Sequence, residues 1–273
     1  MSEFICPFCK KSLKIVNNSL LCENNHCFDK AKEGYVHLLP SNKMHSRIPG
    51  DTKEMVNARR EFLSAGYYKI FSDKLNELVL ENSYNGCHIV DAGCGEGYYT
   101  ENIFNCLESQ NIDAHISGFD ISKFAVRLAS KRNKNIEYAV ASIFDIPTAN
   151  SHADIVTNIF APIVENEFCR ILKNGGVLII AVPGEYHLWE MKTLVYDEPY
   201  VNELKHTEYD GFEFVKRVPV KGEIELCDNR QIQNLFSMTP YYWKTGIDGS
   251  RRIAECQYLK TQIHFDFLIY KKL

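Results

Sequence analysis

HIVDAGCGEGYYT, residues 88–100, decides the fold. An apolar strand ends in an acid, turns through Gly93, Gly95 and Gly97, and enters a helix at Tyr98. Glycine lets the backbone pass close to a ligand, and the free N–H groups of a helix start attract its polar atoms. The spacing narrows the choice. A dinucleotide site repeats G-x-G-x-x-G around a pyrophosphate, whereas this run is G-x-G-x-G with Tyr98 where the last glycine would stand. A pyrophosphate cradle is therefore disfavoured. Asp120 closes HISGFD, 23 residues beyond Gly97, where an acid accepts hydrogen bonds from ribose hydroxyls in doubly wound nucleoside sites.

Outward from the loop the chain alternates strand and helix: HIVDAG, YYTENIFNCL, HISGFD, FAVRLASKR, IEYAVA, ADIVTNIF, an acidic helix, then GGVLIIAVP. Such alternation implies a parallel sheet covered by helices, an α/β fold. TQIHFDFLIYK near the end reads as a late antiparallel strand. Upstream, the SRIPG turn leads into DTKEMVNARREFLSAG, where Asp51 and Glu54 form a capping pair for a helix ending near Gly66. A second helix follows to about Leu80. The organisation expected is a metal-binding block over 1–40, a helical linker over 41–83 and the α/β domain over 84–273.

The first block opens on CPFCKKSLKIVNNSLLCENNH, residues 6–26. Cys6 and Cys9 form a C-x2-C pair, and Cys22 with His26 a C-x3-H pair. Zinc takes four such donors in a tetrahedron, and a hairpin of two short strands around Asn17–Asn18 would fold one pair onto the other. Cys27 competes for the fourth position. A block this small buries too little apolar area to fold alone, so the metal supplies its stability. All four positions are filled by protein, which makes the zinc structural. The other six of the ten cysteines are scattered without regular spacing, so reduced thiols are expected rather than a disulfide framework.

Net charge is −4, but residues 1–60 hold ten Lys/Arg against six acids, a surplus of four that leaves −8 for the remainder. The basic surface sits beside the cysteines, where it can meet phosphate. No apolar run approaches the length of a membrane span and no secretory leader is visible, so a cytoplasmic protein without membrane contact is expected.

The D-x-G-x-G-x-G run resembles motif I of class I (Rossmann-like) S-adenosylmethionine-dependent methyltransferases, whose loop wraps the methionine part of the cofactor. Gly93, Gly95 and Gly97 then cradle S-adenosylmethionine, Asp120 takes its ribose, and Asp91 orients the loop or contacts the cofactor's amino group. NIFAPIVENEF, residues 158–168, lacks both the D/N-P-P-Y motif of exocyclic-amine methyltransferases and the Pro-Cys nucleophile of pyrimidine C5 enzymes. A ring nitrogen or an oxygen remains as acceptor. CPFC, C-x3-H, AKEGYVHLLP, PGDTKEMVNARREFLSAGYY, DAGCGEGYYT, FAP, PGEYHLWEMK and SMTPYYW together resemble the bacterial 23S ribosomal RNA guanine-N1 methyltransferases, from residue 6 to about 270. The resemblance implies Zn2+ on Cys6, Cys9, Cys22 and His26, which decides against Cys27. It also implies cofactor contacts from Tyr68, Gly95, Glu96 and His187. An aromatic face at Tyr68 suits a sulfonium cation.

The substrate the resemblance implies is a guanine in a 23S rRNA hairpin, and some members of the family confer resistance to tylosin-type macrolides. A homodimer is suggested by analogy alone. Lys10, Lys11 and Lys14 are the expected phosphate contacts, Arg59 and Arg60 further candidates, and Phe8, Phe28 and Tyr35 candidate stacking residues. Guanine N1 must lose a proton, yet no catalytic residue can be assigned; Glu165 and Asn158 beside FAP are candidates without a motif. Two rivals stand: a small-molecule methyltransferase, because this fold hosts many acceptors, and an rRNA-binding module without turnover.

Overall fold

The computed structural model describes residues 1–43, 50–204 and 208–273; the SRIPG turn lies outside them except for Gly50. Strands β1 (Lys14–Val16), β2 (Ser19–Leu21) and β3 (Cys27–Asp29) form a small antiparallel sheet whose first hairpin turns on Asn17–Asn18, with Asn17 at φ 53°. Asparagine tolerates that left-handed geometry better than any branched residue. β4 (Val36–His37) leaves this unit and pairs parallel to the edge of the main sheet.

Helices α1 (Lys53–Ser64) and α2 (Lys69–Leu80) follow, separated by Gly66 at φ 84°. The cap of α1 differs from the expected Asp51–Glu54 pair. Thr52 is the N-cap, its hydroxyl accepting from Met55 N–H at 3.3 Å, while Asp51 is engaged by the Arg59 guanidinium about two turns along the helix.

The main sheet is built from β5 (His88–Ala92), α3 (Tyr98–Ser109), β6 (His115–Asp120), α4 (Lys123–Arg132), β7 (Glu137–Val140), β8 (Ala153–Ile159), α5 (Glu165–Ile171) and β9 (Leu172–Pro183). After α6 (Trp189–Val195) come β10 (Phe212–Leu226), α7 (Asn229–Ser237), α8 (Tyr241–Lys244), α9 (Ile247–Glu255) and β11 (Leu259–Lys272). Strand order is β10-β11-β9-β8-β5-β6-β7-β4. β4 through β9 run parallel, and β11 inserts antiparallel between β9 and β10. The order reverses at β5, with β6 on one side and β8 on the other, and ligands of such sheets bind at the carboxyl ends of the strands beside that reversal. The glycine turn leaves β5 at that point. Phe71, Phe265 and Phe267, all fully buried, fill the layer between α2 and the C-terminal strands.

Candidate active site and metal centre

Each of the three glycines has its own reason to lack a side chain. A Cβ on Gly93 would lie 2.5 Å from Ala161 Cβ, and one on Gly97 would lie 2.8 Å from Ala129 Cβ on α4. A Cβ on Gly95 would meet nothing within 4 Å, so Gly95 faces the open side of the turn. Gly95 N–H donates to Asp120 Oδ2 at 3.1 Å and Ser122 N–H to Oδ1 at 2.8 Å, which fixes the carboxylate beside the loop. Burial raises the Asp120 pKa, while the two N–H donors and Arg59 pull it down. Asp91 is buried, Oδ2 accepting from the Thr100 hydroxyl at 2.5 Å and Oδ1 from Thr157 at 2.9 Å. It ties the first turn of α3 and the end of β8 to the end of β5. Burial pushes it up to about 6 against these two hydroxyls.

Glu96 is 2 % exposed, with burial raising its pKa and Arg132 opposing. Arg132 Nε donates to Glu96 Oε2 at 2.7 Å and to the Glu96 carbonyl at 3.0 Å, but Glu96 Oε1 has no hydrogen-bond partner. A buried carboxylate oxygen without a donor fits a ligand that brings one, such as the amino or hydroxyl groups of S-adenosylmethionine. Arg132, at the end of α4 and unmarked by any motif, was not legible from the sequence.

Tyr68 and His187 lie 6.2 Å apart and both pack on Phe265, at 4.9 and 4.3 Å between ring centroids. Tyr68 is 2 % exposed and burial raises its phenol. Burial, then Lys192 and His264, lower His187 to about 3, so its ring is neutral at physiological pH. Its Nδ1 accepts from His264 N–H at 3.3 Å, leaving the ring proton on Nε2. The chain links this cluster to the glycine turn through Phe71, which packs on Phe265 at 4.7 Å and on Tyr99 of α3 at 5.1 Å. Phe160, half exposed at φ 54°, stacks on Phe71 at 5.5 Å. Asn158 donates through Nδ2 to Ala92 O (3.3 Å) and Pro162 O (3.2 Å), pinning the FAP loop to β5. Glu165 opens α5, partly buried.

In the N-terminal unit, Cys6, Cys9, Cys22 and His26 each offer a donor atom within 4.8 Å of the others. Cys9 Sγ is 3.6 Å from Cys22 Sγ, and His26 Nδ1 is 3.4 Å from both Cys6 Sγ and Cys22 Sγ. A tetrahedron with Zn–S about 2.3 Å and Zn–N about 2.0 Å has edges of about 3.5 to 3.8 Å, so the donor set fits zinc. Cys27 lies outside this group, exposed on β3. The Lys11 N–H lowers the Cys9 thiol to about 6, and burial raises Cys6. All ten cysteines are free of disulfides.

The basic and aromatic candidates separate. Lys10 pairs with Asp145 at 2.5 Å and Lys11 with Glu23 at 3.0 Å, both exposed, while Lys14 is exposed on β1. Phe8 is 60 % exposed and stacks 6.0 Å from Phe28. Tyr35 is different: at 5 % exposure it belongs to the main core and is unavailable to a base. The Lys10–Asp145 pair places the metal-binding unit beside the segment that follows β7.

Two family profiles match, the RlmA N-terminal zinc ribbon over residues 4–47 and a methyltransferase domain over 83–236. The 23S rRNA (guanine(748)-N(1))-methyltransferase of Streptomyces fradiae is 31% identical over 92% of this chain and 89% of its own. A Bacillus subtilis (strain 168) protein whose name carries 23S rRNA guanine-N(1) methylation provisionally is 30% identical over 99% of this chain and 98% of its own. The malonyl-[acyl-carrier protein] O-methyltransferase of Hahella chejuensis, by contrast, is 27% identical over 44% of this chain. That match covers less than half of the chain, whereas the two longer ones extend into the ribbon. A zinc ribbon joined to an S-adenosylmethionine-dependent methyltransferase sheet, aligned end to end with such relatives, makes this chain a member of the bacterial 23S rRNA (guanine-N1)-methyltransferase family.

Proposed function

We propose that the protein transfers a methyl group from S-adenosylmethionine to N1 of a guanine in a hairpin of 23S rRNA. The observation that carries this reading is a four-donor ribbon and a cofactor-type glycine turn in one chain, matched nearly end to end by relatives named for that reaction. Gly93, Gly95 and Gly97 shape the cradle, Glu96 Oε1 and Asp120 receive donors from the cofactor, and Asp91 holds the loop in place. Tyr68 and His187, uncharged and buried against Phe265, form an aromatic wall whose packing the bound cofactor would have to part to bring its sulfonium against it. Cys6, Cys9, Cys22 and His26 hold zinc, and the ribbon's Lys10, Lys11 and Lys14 with Phe8 meet the RNA.

When bound, the cofactor supplies an electrophilic methyl carbon; the protein's part is alignment and exclusion of water. The Asn158 clamp fixes the FAP loop, where the base would enter beside Phe160. No side chain is assigned to take the N1 proton. The ribbon disfavours the small-molecule reading, since such an acceptor gives it nothing to bind. The enzyme would work in the cytoplasm on ribosomal RNA, and methylation of this hairpin would reduce sensitivity to tylosin-type macrolides. A homodimer, in which two ribbons grip one RNA, is measurable by light scattering.

Methyl incorporation into 23S rRNA, followed by mass-spectrometric mapping of the modified nucleotide, tests the reading. Methylguanine in a hairpin is the expected product. Turnover on small acceptors with none on RNA would replace it with the first rival, and RNA binding without turnover with the second.

A further inference from the structure

At the opposite edge of the sheet, where the parallel strands begin, three histidines stand side by side. His88 opens β5, His115 opens the neighbouring β6 and His152 immediately precedes β8. Ring centroids lie 4.7 Å apart for His88–His115 and 4.2 Å for His88–His152. Glu3, ahead of the ribbon, reaches into them: its Oε2 is 2.8 Å from His88 Nδ1 and 2.9 Å from His152 Nε2, and its Oε1 is 4.0 Å from His115 Nδ1.

We propose that Glu3, His88 and His152 form a second metal site, for a divalent ion of the zinc type, distinct from the ribbon. Two imidazoles and a carboxylate are a zinc donor set, and their three donor atoms lie within 4.8 Å of one another. Bonds of about 2.0 to 2.2 Å place tetrahedral donors about 3.3 to 3.5 Å apart, so Glu3 Oε2, at 2.8 and 2.9 Å from the two imidazole nitrogens, need draw back from each by only about half an ångström to admit the ion. His115 or water fills the fourth position.

Entry is open, since the side chains of His88 and His152 are 23 % and 29 % exposed. The backbone that carries two of the donors is held in place. The His88 backbone N–H donates to Asp154 Oδ2 at 2.9 Å, Asp154 is held by Lys173 at 2.7 Å, and the Glu3 backbone N–H donates to Glu137 at 3.3 Å. Without the ion, imidazole N–H groups donate to Glu3. Binding needs those nitrogens' lone pairs, so the protons move to the other ring nitrogen or leave. The site lies at the strand ends away from the glycine turn, which makes it a staple holding the residues before Cys6 to β5 and β8 rather than a catalytic metal.

The test uses full-length protein with its ribbon already zinc-loaded, titrated with Co2+. One further ion per chain is expected, with weak ligand-field absorption and no thiolate charge-transfer band, and metal analysis after zinc saturation should give two ions per chain. Glu3→Ala and His152→Asn should each weaken the second ion at least about tenfold and leave the ribbon zinc in place. A wild-type protein saturating at one zinc ion overturns the proposal. So does Co2+ absorption that appears only with thiolate bands, or that persists unchanged in both variants.

Discussion

Asp91 is a carboxylate held between two threonine hydroxyls and away from water. Its folded pKa of about 6 lies above the ordinary 3.8, so folding favours the protonated form. Its stabilising contribution is full below about pH 4 and is lost as the pH rises through 6, a difference of about 3 kcal/mol. Asp91→Asn keeps a donor and an acceptor for the threonines but cannot titrate. Its urea stability should therefore lack the decline that the wild type shows between pH 4 and 6; an unchanged slope would mean that another group causes it. Glu96 makes the complementary case. If its free Oε1 receives a cofactor donor, Glu96→Gln should weaken S-adenosylmethionine about 10- to 100-fold by calorimetry, the range for a hydrogen bond to a charged group. At this scale the sequence was legible where residues sit in one short run. The glycines, Asp91 and the cysteine pairs announce themselves by spacing. Arg132 and the histidines at the foot of the sheet come from distant parts of the chain, and Asp51 was misread as a cap because its Arg59 partner lies eight residues on.

At the scale of elements, the glycine turn separates packing from binding. Gly97, at φ 84°, lies where a Cβ would be 2.8 Å from Ala129 Cβ and 2.9 Å from its Cα on α4. Gly97→Ala should cost about 2 to 5 kcal/mol, from the left-handed backbone and the overpacked helix together. Gly95→Ala meets no protein atom, so its stability loss should be smaller and its main effect weaker cofactor binding. Denaturant midpoints and calorimetry on the two variants separate these effects; equal stability losses would contradict the assignment of Gly95 to the ligand side. The alternation of strands and helices from β5 to β9 follows from hydrophobic period, and so does TQIHFDFLIYK, which lies wholly within β11. β10 was not read because VKRVPVKGEIEL carries Pro219 and Gly222 among charges. Proline is tolerated there since β10 is the edge strand, a tertiary fact invisible in the local pattern.

At the scale of the molecule, the contacts that join the ribbon to the sheet leave the glycine turn untouched. β4 extends the sheet beside β7, Ile5 N–H donates to Pro147 O at 2.9 Å, and Lys10 meets Asp145. The glycine turn, by contrast, is anchored by β5, β6 and α3, so losing the ribbon's metal removes no contact around Gly95, Glu96 or Asp120. Cys22→Ala, or chelation, should therefore unfold the ribbon and abolish methylation of 23S rRNA while leaving S-adenosylmethionine affinity within about twofold of wild type. Replacing Lys10, Lys11 and Lys14 together is the milder form of the same separation. Exposed ion pairs contribute little to stability, so the fold should survive, while RNA affinity falls and its logarithmic salt slope shrinks by roughly 2 to 3. If metal removal weakened cofactor binding as much as RNA methylation, the ribbon would be supporting the catalytic sheet rather than delivering the substrate, and the division of labour proposed here would fail.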